Sequence, residues 1–543
     1  MTNKNASFFG SILAGCSLLL SKAFVDFSTS GLENPLTNLL LLFAIIFANK
    51  AIVEKNKKNN TLFFLFASLV YLSRSDAIIF LLPIACIVIS KSYIAISKSI
   101  WQILLGSIPL VAWSIFSLFY YGSFFPNTAY AKLNTGIPID QLLIQGGLYF
   151  IESLGADLIT LPLIFIGILI GLSQTKNISI TAGITLYLFY VLYIGGDFMS
   201  GRFFATPMFL TAYILSTSSY TRSSFAILIS LVFILGIPNF RHTIMSDSTY
   251  ESKNISPSGI VDERGFYYQD YGLLKASQNT FLAMSWPKNM KQNGMPEVMC
   301  SGAISTVVHG FPDDTHFIID CALADPLLSR LPINLTEGWR IGHYLRKLPE
   351  GYKNSIATNS NQIIDPVIHS LYEAIHKITN GDLWNTERLK IIFYLNFTDR
   401  YNPFKQFLIS GIAFNQEPLP YFIARLNGLS GREHWGRWSD ATDSPIVLIE
   451  LLKPLPKKFT LSIKAKGFDQ NIGKVSTIRI GNTEKQIVLE GEMKRFDIPF
   501  TLTSKSSIIE IIPSMSISPN QIDPKNSDKR KLGIGIESMN FSE

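Results

Sequence analysis

The stretch 193–210, "YIGGDFMSGRFFATPMFL", decides how the rest of the chain is read. Two glycines, an aspartate and an arginine separate runs that are otherwise apolar enough for a lipid bilayer. Gly195 and Gly196 break the preceding helix, and Arg202 opens the next one. An ionisable residue at membrane depth is costly and faces protein or a watery cavity. Two readings of Asp197 and Arg202 follow. In one they stand at the mouth of an outward cavity, where the Arg202 fork takes a phosphate or pyrophosphate and Asp197 orients a hydroxyl or offsets the cation. In the other they form a loop salt bridge that fixes a turn, worth about 0–1 kcal/mol if exposed.

Outward from this turn, apolar segments recur near 8–25, 36–53, 61–73, 76–90, 100–120, 156–172, 178–195, 202–217 and 223–240. Several approach the roughly 20 residues a spanning helix needs, so the pattern predicts about nine spans over 1–240. Of the 543 residues, 48% are hydrophobic and 16% charged, against about 25% charged in an average globular chain. The deficit lies in 1–240, while 241–543 reads as ordinary soluble protein. Net charge is +7, too modest to call for a nucleic-acid partner.

The placement of that charge sets the orientation. Lys4, Lys50, Lys55, Lys57, Lys58, Lys91, Lys98, Lys176 and Arg222 fall in one set of loops, and only Arg74, Lys132 and Arg202 in the short loops opposite. This predicts a multi-pass protein of the inner (cytoplasmic) membrane with a cytoplasmic N-terminus and a periplasmic or extracytoplasmic tail. The opening residues carry no cleavable signal site. Residues 138–153 have helical spacing of apolar positions, which fits a helix lying in the outer interface or a half-apolar loop.

The expected fold class is a polytopic α-helical membrane domain (1–240), an exported α+β domain (241–435) and a C-terminal β-sandwich (436–543). Within the tail, "DPVIHSLYEAIHKITN" (365–380) predicts a helix, "HFIID" and "KIIFYLNF" predict strands, and seven strand-like runs from "SPIVLIELL" to "LGIGIESMNF" predict the sandwich. Cys300 and Cys321 are either a disulfide or two thiols.

The polar chemistry of the membrane half gathers in the loops predicted outside. "SRSD" adds Arg74 and Asp76, "GSFFPNTAYAK" adds Asn127, Tyr130 and Lys132, and "STSGLENP" adds Glu33 and Asn34. Four polar loops on one face of a bundle suit one cavity. In the tail, "FPDDTHFIID" places Asp313, Asp314, His316 and Asp320 together, as a divalent metal site or as a turn followed by a strand. "HWGRWSD" holds Trp435 and Trp438, as a stacking platform for a glycan or as sandwich core. No cofactor motif is present.

In order and position, "TSGLENPL", "SRSDAIIFLLP", "YYGSFFPNTAYAK" and "GGDFMSGRFFATP" resemble bacterial C-type (GT-C) glycosyltransferases of the mycobacterial terminal arabinofuranosyltransferase kind, as do "VDERGFYYQDYGLL" and "IIDCALADPLL". The final domain resembles a β-sandwich module appended to bacterial envelope sugar and phosphoglycerol transferases, through "HWGRWSD", "LPKKFTLSIKAKGFDQNIGK" and "DKRKLGIGIESMNF". The resemblance implies a membrane transferase that moves a sugar from a polyprenyl-phosphate donor to an envelope glycan outside the bilayer. Asp197 and Arg202 would be catalytic, with Arg74, Asp76, Asn127, Lys132 and Glu33 binding donor or substrate and Trp435 and Trp438 binding glycan. The family's acidic pair in the first outer loop has no counterpart before "SGLENP", so the resemblance implies a chain shortened at its N-terminus, either an enzyme completed from elsewhere or a non-catalytic glycan-binding relative.

Overall fold

The computed structural model describes residues 4–91, 96–133, 135, 137–238, 255–271, 298–301, 316–319, 322–333, 339–398, 400–401, 411–415, 423–451 and 454–542. Two compact units divide the chain. The first holds Met1–Leu118, Ile137–Ser285 and Arg340–His343, the second Phe119–Gly136, Trp286–Trp339 and Tyr344–Glu543.

The first unit is helical. Helix Asn34–Glu54 starts with Pro35 in its first turn and stops where Lys55 turns left-handed, at φ 50°. Asn56 then caps helix Lys57–Ser73, its side chain accepting from the Lys58 N–H at 2.9 Å. The polar run "EKNKKNN" therefore supplies both the stop and the start.

With 21 residues and a mean hydropathy of 2.0, Asn34–Glu54 is long and apolar enough to cross a membrane. At about 1.5 Å per residue it matches a hydrocarbon layer of about 30 Å. Three bent pairs reach the same test together: Phe8–Leu20 with Lys22–Ser28 (73°), Ile100–Gly106 with Ile108–Tyr120 (55°), and Ile139–Ala156 with Thr160–Leu172 (107°). Length and apolarity thus give one to four spans among the described residues, where the apolar runs alone predict nine. The difference is local. Ser21 accepts from the Phe24 N–H at 3.2 Å and caps a new helix inside the first apolar run. The run at 76–90 opens as a 3-10 helix, Ser75–Leu81, before Leu82–Lys91. Ile178–Tyr193 and Arg222–Gly236 are apolar but shorter, at 16 and 15 residues. Large apolar side chains remain exposed on these helices, among them Trp101 at 65%, Ile115 at 64% and Phe189 at 65%.

The second unit mixes helices and sheets. Strands β1 (Val298–Ser301) and β2 (His316–Ile319) pair in parallel, and beside them Ile318, Leu327, Leu328, Leu331, Ile368, Leu371 and Ile375 close an apolar core. Helix Pro366–Asn380 follows the Asp365 cap, whose side chain accepts from the Val367 and Ile368 N–H groups at 2.9 and 3.0 Å. The run "KIIFYLNF", expected as a strand, lies in helix Thr386–Phe397. Its β-branched and aromatic residues read as strand, but Asn385 accepts from the Glu387 N–H at 2.8 Å and nucleates a helix.

Arg388, 2% exposed, ties this helix to others. Its Nε donates to the Ile378 carbonyl at 2.9 Å, and Nη1 and Nη2 donate to the Phe119 and Tyr120 carbonyls at 2.8 and 2.9 Å. One guanidinium thus satisfies carbonyls that end two helices.

Ten strands follow in two antiparallel sheets. They are β3 (Gly411–Ala413), β4 (Ile423–Asn427), β5 (Arg437–Asp440), β6 (Val447–Leu451), β7 (Lys458–Gly467), β8 (Val475–Ile480), β9 (Thr483–Val488), β10 (Lys494–Thr501), β11 (Ile508–Ile512) and β12 (Leu532–Ser542). One sheet runs β10-β7-β12-β3 with β5 also on β12, and the other β4-β6-β11-β8-β9. Alternate residues face a shared core: Val447, Ile449, Ile478, Ile480, Ile509 and Ile511 from one sheet, Leu461, Ile463, Phe500, Ile534, Ile536 and Met539 from the other. β3 and β4 lie before residue 436 and are nevertheless strands of these sheets.

Candidate functional site

The opening stretch folds as a helix, a glycine-rich turn and a second helix. Gly195 and Gly196 take φ of +87° and +77° after helix Ile178–Tyr193, and Gly201, at φ +77°, precedes helix Arg202–Thr217. Tyr149, fully buried, pins the turn: its hydroxyl donates to the Met199 carbonyl at 3.0 Å and accepts from the Phe203 N–H at 3.2 Å. Segment 255–263 lies along the same turn, with the Ser200 N–H donating to the Val261 carbonyl at 2.9 Å and the Val261 N–H to the Phe198 carbonyl at 2.8 Å.

Three of the polar loops meet here. Arg202 Nη1 lies 3.3 Å from Asp197 Oδ2, and Arg202 Nη2 lies 2.9 Å from Glu33 Oε1. Arg74 grips Asp76 with two bonds, Nε to Oδ1 at 2.9 Å and Nη2 to Oδ2 at 3.1 Å. Its Nη1 stands 3.6 Å from Glu33 Oε1, and its guanidinium lies 4.9 Å from the centre of the Phe203 ring. Tyr187 completes the group, donating to Asp76 Oδ2 at 2.7 Å and accepting from Arg74 Nη2 at 3.0 Å. Glu33 therefore joins Arg74 to Arg202. Burial alone lifts the Glu33 carboxyl, but the Arg202 and Arg74 charges outweigh it and hold the group below the usual carboxylate range.

The pairing leaves capacity unused. Arg74 Nη1 and Arg202 Nε are buried without a hydrogen-bond partner among the described residues, as are both amide atoms of Asn34, Asn38 Oδ1 and Thr206 Oγ1. Buried donors of this kind mark a place for water or ligand.

Asn127 and Lys132 belong to the second unit. The Asn127 amide donates to the Ala324 carbonyl at 2.9 Å and accepts from Arg330 Nη1 at 3.0 Å, so these bonds within its own unit account for its polar atoms. Lys132 is exposed on helix Asn127–Leu133. Asp313, Asp314, Asp320 and Cys321 lie outside the described residues, and with them the expected disulfide and metal site. Among the described residues no group of three or more His, Cys, Asp or Glu is placed to hold a metal ion.

Trp435 and Trp438 are half-exposed and lie outside the sandwich core. Their ring centres are 5.0 Å apart at 76°, and Lys466 Nζ stands 4.1 Å from the centre of the Trp435 ring. Trp435 Nε1 donates to Glu433 Oε2 at 3.0 Å.

Residues that the sequence pattern does not mark are as instructive. Tyr149 and Tyr187 sit inside apolar runs, where a tyrosine reads as an interface anchor. Glu263, first residue of helix Glu263–Tyr271, lies two residues beyond Val261 and has no hydrogen bond or ion pair among the described residues. Burial, then the nearby Asp197 charge, pushes its carboxyl above the usual range. His343 and Arg340 pull the other way and Asp262 adds to the rise. Such a group favours folding below its unfolded pKa of about 4.3, and the benefit is lost as pH rises to the folded value. The Glu263→Gln variant is accordingly expected to gain thermal stability on the wild type as pH rises from 4 through 7. Melting curves that stay parallel over that interval would contradict the assignment.

Comparison with known proteins bears on the C-terminal region. A family model described as "Domain of unknown function (DUF7024)" matches residues 404–543, which include every strand of the two sheets. Phosphoglycerol transferase I of Citrobacter koseri is 38% identical over 123 residues, 23% of this chain and 16% of the relative. Its counterpart in Escherichia fergusonii is 37% identical over 130 residues, 24% and 17% of the two chains. That of Salmonella arizonae is 37% identical over 123 residues. The chain therefore covers about a sixth of the length of these curated relatives.

These matches overturn the arabinofuranosyltransferase (GT-C) resemblance. With it go the glycosyltransferase reading, the polyprenyl-phosphate-linked sugar donor and the envelope-glycan acceptor drawn from it. The physical reason lies in the motifs. Gly, Asp and Arg at the ends of apolar helices are what any helical hairpin needs to turn and to neutralise its charges. Their order over a few loops therefore says little about the reaction.

Proposed function

We propose that the protein acts in phosphoglycerol transfer, with the helical unit binding the phosphate of a phosphoglycerol-bearing lipid between Arg74 and Arg202. The observation that carries this reading is the pair of buried guanidinium nitrogens, Arg74 Nη1 and Arg202 Nε, that lack a hydrogen-bond partner among the described residues and flank Glu33. Guanidinium forks suit phosphate oxygens, and a dry setting strengthens the bond. The likeness of the C-terminal module to phosphoglycerol transferase I supplies the transferred group.

In this reading the unit lies in the cytoplasmic membrane and its nine apolar segments cross or re-enter the bilayer, with Asp197 and Arg202 opening on the extracytoplasmic side. The Lys and Arg bias of the loops and the exposed apolar side chains support it. Phosphoglycerol transfer makes a bond from an acceptor hydroxyl oxygen to phosphorus and breaks the bond from phosphorus to the diacylglycerol oxygen. The acceptor proton needs a base. Asp197 is held by Arg202 and by the Phe198 N–H at 2.9 Å, so it orients the guanidinium. Glu263, two residues beyond the Val261 N–H that bonds the Phe198 carbonyl next to Asp197, takes the proton and returns it to the departing diacylglycerol oxygen. Separately, the half-exposed Trp435 and Trp438 of the shared module offer a stacking face for a carbohydrate ring.

The test uses full-length protein in vesicles containing phosphatidylglycerol labelled in its headgroup glycerol, with a water-soluble polyol acceptor. Label is expected to move to the acceptor and diacylglycerol to appear in equal amount, with Arg202→Gln lowering the rate at least 100-fold. Transfer unaffected by Arg202→Gln and Arg74→Gln would remove the helical unit from the reaction.

A further inference from the structure

Behind the Arg74–Glu33–Arg202 group lies a second set of polar atoms that no ion pair explains. Asn34 is 1% exposed, Asn38 5% and Thr206 2%, and among the described residues both Asn34 amide atoms, Asn38 Oδ1 and Thr206 Oγ1 have no hydrogen-bond partner. Thr37, between the two asparagines, is satisfied, its hydroxyl bonding Ser73 at 2.8 Å and donating to the Glu33 carbonyl at 3.0 Å. The unmet polar atoms of the helix start therefore lie beside Thr37 and not at it.

Helix geometry places the atoms. Asn34 and Asn38 are four residues apart and share a face. Asn38 and Asn49 are eleven apart, close to three full turns, and the Asn49 amide donates to the Tyr213 hydroxyl at 3.3 Å. Asn38 therefore looks toward helix Arg202–Thr217, as Asn49 does. On that helix Thr206 is seven residues before Tyr213, about two turns, and faces back the same way. Counted from the Glu33–Arg202 ion pair, Asn38 and Thr206 each stand about one turn inside the bundle. By helix phase the Asn38 amide and the Thr206 hydroxyl fall on the facing sides of the two helices, about one turn from the Arg74–Glu33–Arg202 group.

Cations above and neutral donors and acceptors below suit a phosphate ester of a small polyol. We infer that Asn34, Asn38 and Thr206 form a subsite for the hydroxyl groups of a glycerol headgroup whose phosphate is held by Arg74 and Arg202. The inference rests on the phosphate reading above and adds its specificity. An amide offers both a donor and an acceptor to a hydroxyl, and a threonine hydroxyl does the same. A site built to bond hydroxyls rejects an analogue lacking them, because its buried polar atoms stay unpaired.

The experiment compares two phosphodiester lipids that differ in hydroxyls: phosphatidylglycerol and phosphatidylethanol. Each is doped into phosphatidylcholine nanodiscs holding the full-length protein, and bound lipid is counted by native mass spectrometry. The wild type is expected to prefer phosphatidylglycerol at least tenfold. The double variant Asn38→Leu/Thr206→Val is expected to bind both lipids equally, at the wild-type level for phosphatidylethanol. Because it removes unpaired buried polar atoms, it is expected to melt no lower than the wild type. Arg202→Gln is expected to weaken both lipids together. Displacement of the lipid by soluble glycerol 3-phosphate would name the free ester as an occupant of the same subsite. A wild type without preference, or a preference that survives the double variant, would overturn the subsite while leaving the phosphate reading intact. Both lipids binding to Arg202→Gln as before would overturn the phosphate reading and the subsite with it.

Discussion

Replacing Arg74 by leucine is expected to destabilise the helical unit by about 3–5 kcal/mol, the cost of leaving buried charge without its partner. Arg74 is 8% exposed and touches Asp76 twice, Tyr187 once and Glu33 at 3.6 Å. Its removal strands the Asp76 carboxylate against the Tyr187 hydroxyl and leaves Glu33 with Arg202 alone. The double variant Arg74→Leu/Asp76→Leu is expected to recover most of the loss, because a buried ion pair exchanged whole for apolar groups is often close to neutral. Thermal unfolding of the two variants in detergent checks the pair. A single variant as stable as the wild type would mean that water already screens Asp76.

Arg388→Leu is the second large effect, in the other unit. The buried guanidinium donates to the carbonyls of Phe119, Tyr120, Ile378 and Leu383. Leucine fills much of the space and supplies no donor. At about 1–3 kcal/mol for each buried acceptor left unmet, with some recovered through water, a loss of about 3 kcal/mol is expected. Hydrogen exchange in the full-length protein reads it out: amides of helices Pro366–Asn380 and Thr386–Phe397 are expected to lose protection while β6, β8 and β11 keep theirs. Lysine at 388 is expected to restore little, since one ammonium cannot reach carbonyls set around a planar fork.

Three of the four polar loops of the helical unit's sequence region show how far sequence carries the site. Apolar runs flanked by Gly, Asp and Arg place Glu33, Arg74, Asp76, Asp197 and Arg202 at helix ends, and those five do meet. Asn127 and Lys132 sit in a stretch of the same character, yet both belong to the second unit, where Asn127 bonds Ala324 and Arg330. Loop polarity marks which residues end apolar helices and not which unit they join. Asn34, Asn38 and Thr206 left a usable signal, polar residues one turn apart inside apolar helices. Only helix phase sets Asn34 and Asn38 on the side of their helix that looks toward Thr206, which is what the proposed subsite needs.

The folded elements teach the same lesson. Alternation in 444–541 is strong because each strand has one face in a common core, so the strands are legible even though their order in the sheets is not. In the helical unit, hydropathy is blind to where a helix bends. Ser21 follows one helix and caps the next within the apolar run 8–25, and an average over that run does not record it. In "KIIFYLNF" a single capping asparagine outweighs eight residues of strand-like composition. The reaction class was least legible, because the motifs that suggested it are the motifs of helix ends.

The most direct test is an experimental structure of the full-length protein with phosphatidylglycerol. The account predicts lipid phosphate oxygens within hydrogen-bond distance of Arg74 Nη1 and Arg202 Nε, with the glycerol hydroxyls on Asn34, Asn38 and Thr206. Lipid phosphate bound elsewhere, with those two nitrogens bonded only to water or to Glu33, would contradict it.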